Sequence, residues 1–180
     1  GHVRPLPQQT LQASISGQGT VGELSALLDG HERRLKYGDH WVEVSVGGSI
    51  EFSWDQPVAL EHIRFVLHTN LHDMKRMPAS FPKKARNEAM PAKLARNLSV
   101  QICVDDEWHE VGRIENNHQR LVQLDLPGTA NQLRVVVEST WGGKAAAIFA
   151  CEVGQTDYRI APNRVEWPEV IMTGTHSGTA

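Results

Sequence analysis

The chain has 180 residues, 40% of them hydrophobic and 22% charged, with a formal net charge of −3. That length suits one domain with a real core and is short for two, and no apolar run approaches the roughly 18 to 20 residues of a membrane-spanning helix. Cys103 and Cys151 have no close-spaced Cys/His set around them, which excludes a zinc site of ordinary spacing and leaves two free thiols or one strand-to-strand disulfide open.

The amino end, Gly1-His2-Val3, has neither an initiator methionine nor a signal peptide and reads as a mature or cut end, so localisation is undetermined there. Residues 1–20 form a tail and a first strand, with weak alternation around 11–16. Residues 21–28 suit a brief helical turn that leads into Asp29-Gly30, a turn signal. Residues 41–46 and 50–54 then alternate on either side of Gly47-Gly48, a dipeptide suited to a two-residue hairpin. In 60–68 the core side is Ile63, Phe65 and Leu67. Short strands follow at 98–104, 108–114 and 121–126. Asp105-Asp106-Glu107, the densest acidic run, falls between two of them and reads as a hairpin tip.

Residues 132–154 organise the rest. Leu133, Val135 and Val137 face one way and Arg134, Val136 and Glu138 the other, the two-residue period of a pleated strand. A second strand, with Phe149, Cys151 and Val153 on one face and Ile148, Ala150 and Glu152 on the other, is expected to return against the first. Between them Ser139 to Lys144 places Trp141 beside two glycines, which suits a binding loop or an indole plug at one end of a sandwich. About eight strands with almost no helical period predict an all-β fold, an antiparallel jelly-roll β-sandwich.

One stretch breaks the pattern. Residues 72–97 hold seven of the 18 Lys and Arg residues against Asp73 and Glu88 alone. A connection this long is usually functional or mobile. It reads as a solvated loop, as a short helix over 82–88, or as a surface for a phosphate, a uronic acid or an acidic protein face. Nucleic acid is not expected as a partner, since only Phe81 interleaves with the charges. No glycine-rich phosphate loop opens a helix, and no nucleophile with a placed base is visible, so neither a nucleotide cofactor nor catalysis is expected. Residues 158–180 read as a strap and a loose tail.

The run LLDG, a Trp-led strand, SIEFSWDQPVALEHIRFVL, LSVQICVDDEWHEVGRI, LVQLDLPGTANQLRVVVEST and AAIFACEV resembles the discoidin or coagulation-factor C-type domains, which are galactose-binding-like β-sandwiches. The likeness covers roughly 26–154, and the domain is expected at 21–157 with 72–97 as a basic insertion. The stretch from His68 through Met90-Pro91 to Asn116-Asn117-His118-Gln119-Arg120 is also similar to the carboxy-terminal sandwich of some bacterial FAD-dependent oxidoreductases.

Two site expectations follow from the resemblance. It implies a structural Ca2+ between Asp29 and Glu152, whose two carboxylates would need loop carbonyls to reach six to eight oxygens; the alternative is that Glu152 is a paired carboxylate at a strand end. It also implies a sugar site, with Trp141 as the stacking platform and His68, Asn70, Asn116, Asn117, His118 and Arg120 as polar partners. For His68 or His118 alone, an ordinary hydrogen-bonded histidine is the plainer reading. The expected function is a non-catalytic module of a larger bacterial protein with carbohydrate as ligand, extracytoplasmic if so. Its runner-up is a docking module packed on another domain of the parent protein, a flavin-dependent oxidoreductase for example.

Overall fold

The computed structural model describes residues 5–32, 40–69 and 90–154. A short helix α1 (Gln8–Gln12) precedes strand β1 (Ser14–Val21), a 3-10 turn (Leu24–Leu28) and strand β2 (Val42–Leu67). Strands β3 (Ala95–Val104), β4 (Glu107–Ile114), β5 (Leu121–Thr140) and β6 (Ala145–Val153) complete the all-β sandwich. Alternation in sequence becomes burial in space. Ile63, Phe65, Leu67, Leu133 and Val137 are fully buried at 0% exposure, and each such side chain contributes about 1.5–3 kcal/mol of apolar burial.

The hydrogen-bonded order is β1-β2-β5-β3-β4, with β6 paired to β2. Strands β2 and β5 are long because each passes from one layer to the other. In one layer residues 49–53 of β2 lie between 14–18 of β1 and 132–136 of β5, and β5 continues the sheet to β3. In the other layer residues 61–66 of β2 pair with 121–126 of β5, and β6 lies between two stretches of β2, residues 63–67 and residues 42–45. Partner numbers fall as strand numbers rise in each stretch, from Val42 with Ile148 to Ser45 with Ala145, so the local sense is antiparallel.

Two expectations about pairing are corrected. The strands flanking Trp141 do not return on each other: β5 pairs with β2 and β3, while β6 pairs with β2. Strand period fixes a face but not a neighbour, and the crossing to the other layer is long-range information. Gly47-Gly48 is also no hairpin. Both sides pair with β1, and the register jumps from Ser49 opposite Gln18 to Val44 opposite Thr20, so the glycines belong to a bulge. A Cβ on Gly48 would lie 2.6 Å from the Gln18 carbonyl oxygen, which is why the close approach needs glycine there.

Asp105 and Asp106 take φ of 52° and 64°, so the acidic run is the predicted tip between β3 and β4. Cys103 and Cys151 are free thiols, and burial pushes the Cys151 thiol pKa well up. Helix α1 was not expected. It is held because the Thr10 hydroxyl donates to the Val153 carbonyl at 2.6 Å and accepts from the Val153 N–H at 2.8 Å. Among the described residues no helix is long and apolar enough to cross a membrane. Most of the basic insertion and the strap at 158–180 lie outside the described residues; residues 95–97 of the insertion already belong to β3.

Candidate functional site

At one end of the sandwich the turn over residues 90–94 is stitched to the loop between β5 and β6. The Trp141 N–H donates to the Leu94 carbonyl at 3.3 Å and the Gly143 N–H to the Ala92 carbonyl at 2.8 Å. The connection from β4 to β5 joins the same end, since Asn117 N–H donates to the Arg96 carbonyl at 2.9 Å and Leu67 N–H to the Arg120 carbonyl at 2.7 Å. Gly143 has no substitute at this point: a Cβ there would stand 2.6 Å from the Ala92 carbonyl oxygen.

The expected site residues fall into two groups around this end. Trp141, Asn116, Asn117 and His118 form the first, with Arg96. The Trp141 indole N–H donates to the Asn117 carbonyl at 2.6 Å, its ring is half-buried on the core, and the Arg96 guanidinium lies 4.7 Å from its centroid. Arg96 also donates to the Asn116 side-chain oxygen at 2.8 and 3.0 Å. Asn117 is buried, with Nδ2 donating to the carbonyls of Ala95 at 3.1 Å and Gln119 at 3.0 Å, while its Oδ1 accepts from Gln119 N–H at 2.9 Å. Asn117 therefore acts on the fold, and His118 is exposed beside it. A recess of about 290 Å³ lies alongside, lined by Arg113, Asn116, His118 and Gln119 among others. Its edge is fixed by Arg113, which bridges Glu110 and Glu138 at 2.6 Å each. The Glu110 carboxyl is held below its usual range by the Arg113 hydrogen bond first and Ser99 second.

His68 and Arg120 form the second group, on another flank. The His68 imidazole stacks on Phe149, with centroids 5.7 Å apart and planes 8° from parallel. Arg120 lies over the same phenyl ring at 5.0 Å and donates to the Glu32 carbonyl. Trp41 completes the cluster, edge-on to His68 at 5.1 Å and to Phe149 at 5.8 Å. Its indole N–H donates to Glu43 at 3.3 Å, and Glu43 also accepts from Lys93, the largest cause of its lowered pKa. The half-buried Trp41 then borders a groove of about 500 Å³ whose polar lining is Glu23, Ser25, Asp29 and His40. Asn70 lies outside the described residues.

The two carboxylates expected to hold calcium each have another partner. Asp29 pairs with the His40 imidazole and accepts from His31 N–H at 2.7 Å, which makes it the predicted turn residue. Glu152, 1% exposed, faces the Arg64 guanidinium at 3.6 Å, and Arg64 reaches Glu32 at 2.6 Å. No group of three or more His, Cys, Asp or Glu side chains that would hold a metal occurs among the described residues. The Arg64 guanidinium thus offers Glu152 a positive charge at this strand end, the paired-carboxylate alternative of the sequence.

Trp41, Lys93, Arg96 and Phe149 were missed as site residues. Trp41 opens a strand whose alternation reads as core, and Lys93 and Arg96 read as part of the insertion's general charge. An indole directly after the polar run Gly38-Asp39-His40 in the sequence was the available signal.

No family model and no curated protein matches the chain. Solved structures do. The family 32 module of NanJ from C. perfringens, in complex with galactose, is similar at 13% identity and TM-score 0.53, over 81% of this chain and 95% of that one. The family 32 module of AlyQ, in complex with 4,5-unsaturated mannuronic acid, is similar at 10% identity and TM-score 0.54, over 79% and 95%. Chitosan-binding module 1 of a chitosanase/glucanase from Paenibacillus sp. IK-5 is similar at 12% identity and TM-score 0.56, over 82% and 98%. The chain has the discoidin, galactose-binding-like fold.

Proposed function

We propose that the chain is a non-catalytic carbohydrate-binding module that takes its ligand at the loop end of the sandwich. The observation that carries this reading is the gathering there of two half-buried indoles, Trp41 and Trp141, with His68, Arg120, Asn116 and His118 around the turn at 90–94. An indole offers a flat apolar surface to the C–H face of a pyranose, and imidazole, amide and guanidinium groups fix its hydroxyls. Similarly folded modules are in complex with galactose or an unsaturated mannuronic acid, or are named as chitosan-binding, and these ligands are neutral, anionic and cationic, so the fold leaves the ligand's charge to the site. An extracytoplasmic location follows from this reading.

A second reading, a docking module on another domain of a parent protein, is favoured by the way Trp141, Arg96, Asn116 and Asn117 bond to one another. A glycan array on the whole chain separates the two. Retention of a defined glycan class supports the module; silence across neutral, cationic and acidic glycans sinks it and favours docking.

A further inference from the structure

Resting on the carbohydrate reading, we propose that the chain has a second glycan contact on the outward face of the layer formed by β1, β2, β5, β3 and β4. A row of polar side chains across these strands takes the body of a long, uncharged polysaccharide.

The row is fixed by register. Ser16 lies opposite Glu51, Glu51 opposite Arg134, Arg134 opposite Gln101, and Gln101 opposite Glu110. Each strand thus gives one side chain. All five share the face turned away from the core, because the residues on either side of them in their strands fill it: Ile50 and Phe52 beside Glu51, and Leu133 and Val135 beside Arg134, are buried. Ser16 and Glu110 are exposed, and the three between them are half-buried. Four strand spacings of roughly 4.8 Å make the row about 19 Å long, too long for one pyranose ring to cover.

The side chains are held as well as placed. Arg134 Nε donates to Gln101 at 2.7 Å, Gln101 Nε2 donates to the Ser99 hydroxyl at 3.1 Å, and that hydroxyl donates to Glu110 at 2.7 Å. Arg113 closes the network by bridging Glu110 to Glu138. The Arg134 guanidinium lies 4.3 Å from the Trp108 ring centroid. The part of this indole is to steady the guanidinium, whose terminal amino groups carry its remaining N–H donors. Ordering long, partly exposed side chains costs conformational entropy, and surface ion pairs return little stability. A preset array recovers that cost when a ligand binds, because the ordering is already done.

The mix of groups supplies the ligand class. A carboxylate accepts hydrogen bonds, a guanidinium donates them, and an amide and a hydroxyl do both. Carbohydrate hydroxyls, each a donor and an acceptor, match every member of such a row without bringing charge. Glu51 and Glu110 flank Arg134 along the row, so an anionic chain reaching the guanidinium would meet a carboxylate on either side. A cationic chain would compete with Arg113 for Glu110.

The test is the affinity of the full chain for galactan, mannan and glucan oligomers of increasing length, with polygalacturonate and chitosan oligomers as charged comparisons. Affinity for at least one neutral series is expected to rise about tenfold from disaccharide to hexasaccharide. Arg134→Lys keeps the charge but loses the planar fork. This variant and Glu51→Gln should each remove most of the gain and leave the disaccharide affinity unchanged. Ser16→Ala, at an exposed position of β1, gives a third arm that does not depend on the packing around Arg134, with a smaller loss. A flat length series, or a gain that survives all three variants, overturns the row, while disaccharide binding leaves the carbohydrate reading standing. A length gain confined to the charged series overturns the uncharged class. Silence on every series overturns the row together with the carbohydrate reading.

Discussion

Two indoles stand at the same end of this sandwich and are used differently. Around Trp141 the polar groups turn inward: the indole N–H goes to a carbonyl, a guanidinium covers the ring, and Asn117 divides its amide among three backbone groups. Around Trp41 the packing is aromatic, and polar side chains line a groove rather than one another's backbone. The first flank fixes three loops in place; the second packs ring against ring. An aromatic residue in a loop is therefore a poor guide to a ligand until its faces have been accounted for.

The largest expected effect lies behind the Trp41 flank. Arg64→Met removes the guanidinium that faces the buried Glu152 at 3.6 Å, and breaking a buried pair from one side costs about 3–5 kcal/mol. Urea unfolding would measure it. If Ca2+ restored the midpoint of the variant, or if a chelator lowered that of the native chain, the role of Arg64 as charge partner of Glu152 would be wrong. A smaller loss is expected on the Trp141 flank. Asn117→Ala removes three hydrogen bonds at once, a loss of about 2–3 kcal/mol, with no change in affinity for the retained glycan in the folded fraction. A fall in affinity at equal foldedness would instead make this flank part of the ligand site.

The smallest effect is in acid. Glu43 has a folded pKa below its ordinary 4.5, chiefly through the Lys93 hydrogen bond. Its stabilisation is therefore present above the unfolded value and lost as pH falls through the lower folded one. Lys93→Met should shrink the stability difference between neutral and acidic solution. An unchanged pH profile would mean that the pair contributes nothing to the Trp41 flank.

Much of the fold was legible because strand faces are written every second residue. Ile63, Phe65 and Leu67 read as core and are core, and the Asp105-Asp106 tip reads as a turn and is one. Neighbours were not legible. Gly47-Gly48 suits a hairpin and a bulge equally, and only the passage of β1 close by decides between them. Arg64 sits at a polar position of its strand yet is buried, because its partners Glu32 and Glu152 come from distant parts of the chain. Within the candidate site, residue types were readable but their grouping was not: His68 and Arg120 meet over Phe149, away from Trp141.

The position of β6 also bears on how the protein is made. This last described strand lies between two stretches of β2, so the second layer closes only when distant parts of the chain meet. Contacts so far apart in sequence carry a large loop-closure cost and slow folding. A chain leaving the ribosome would expose the apolar faces of β2 until β6 had emerged to cover them, and this places an interval of aggregation risk between the emergence of these two strands.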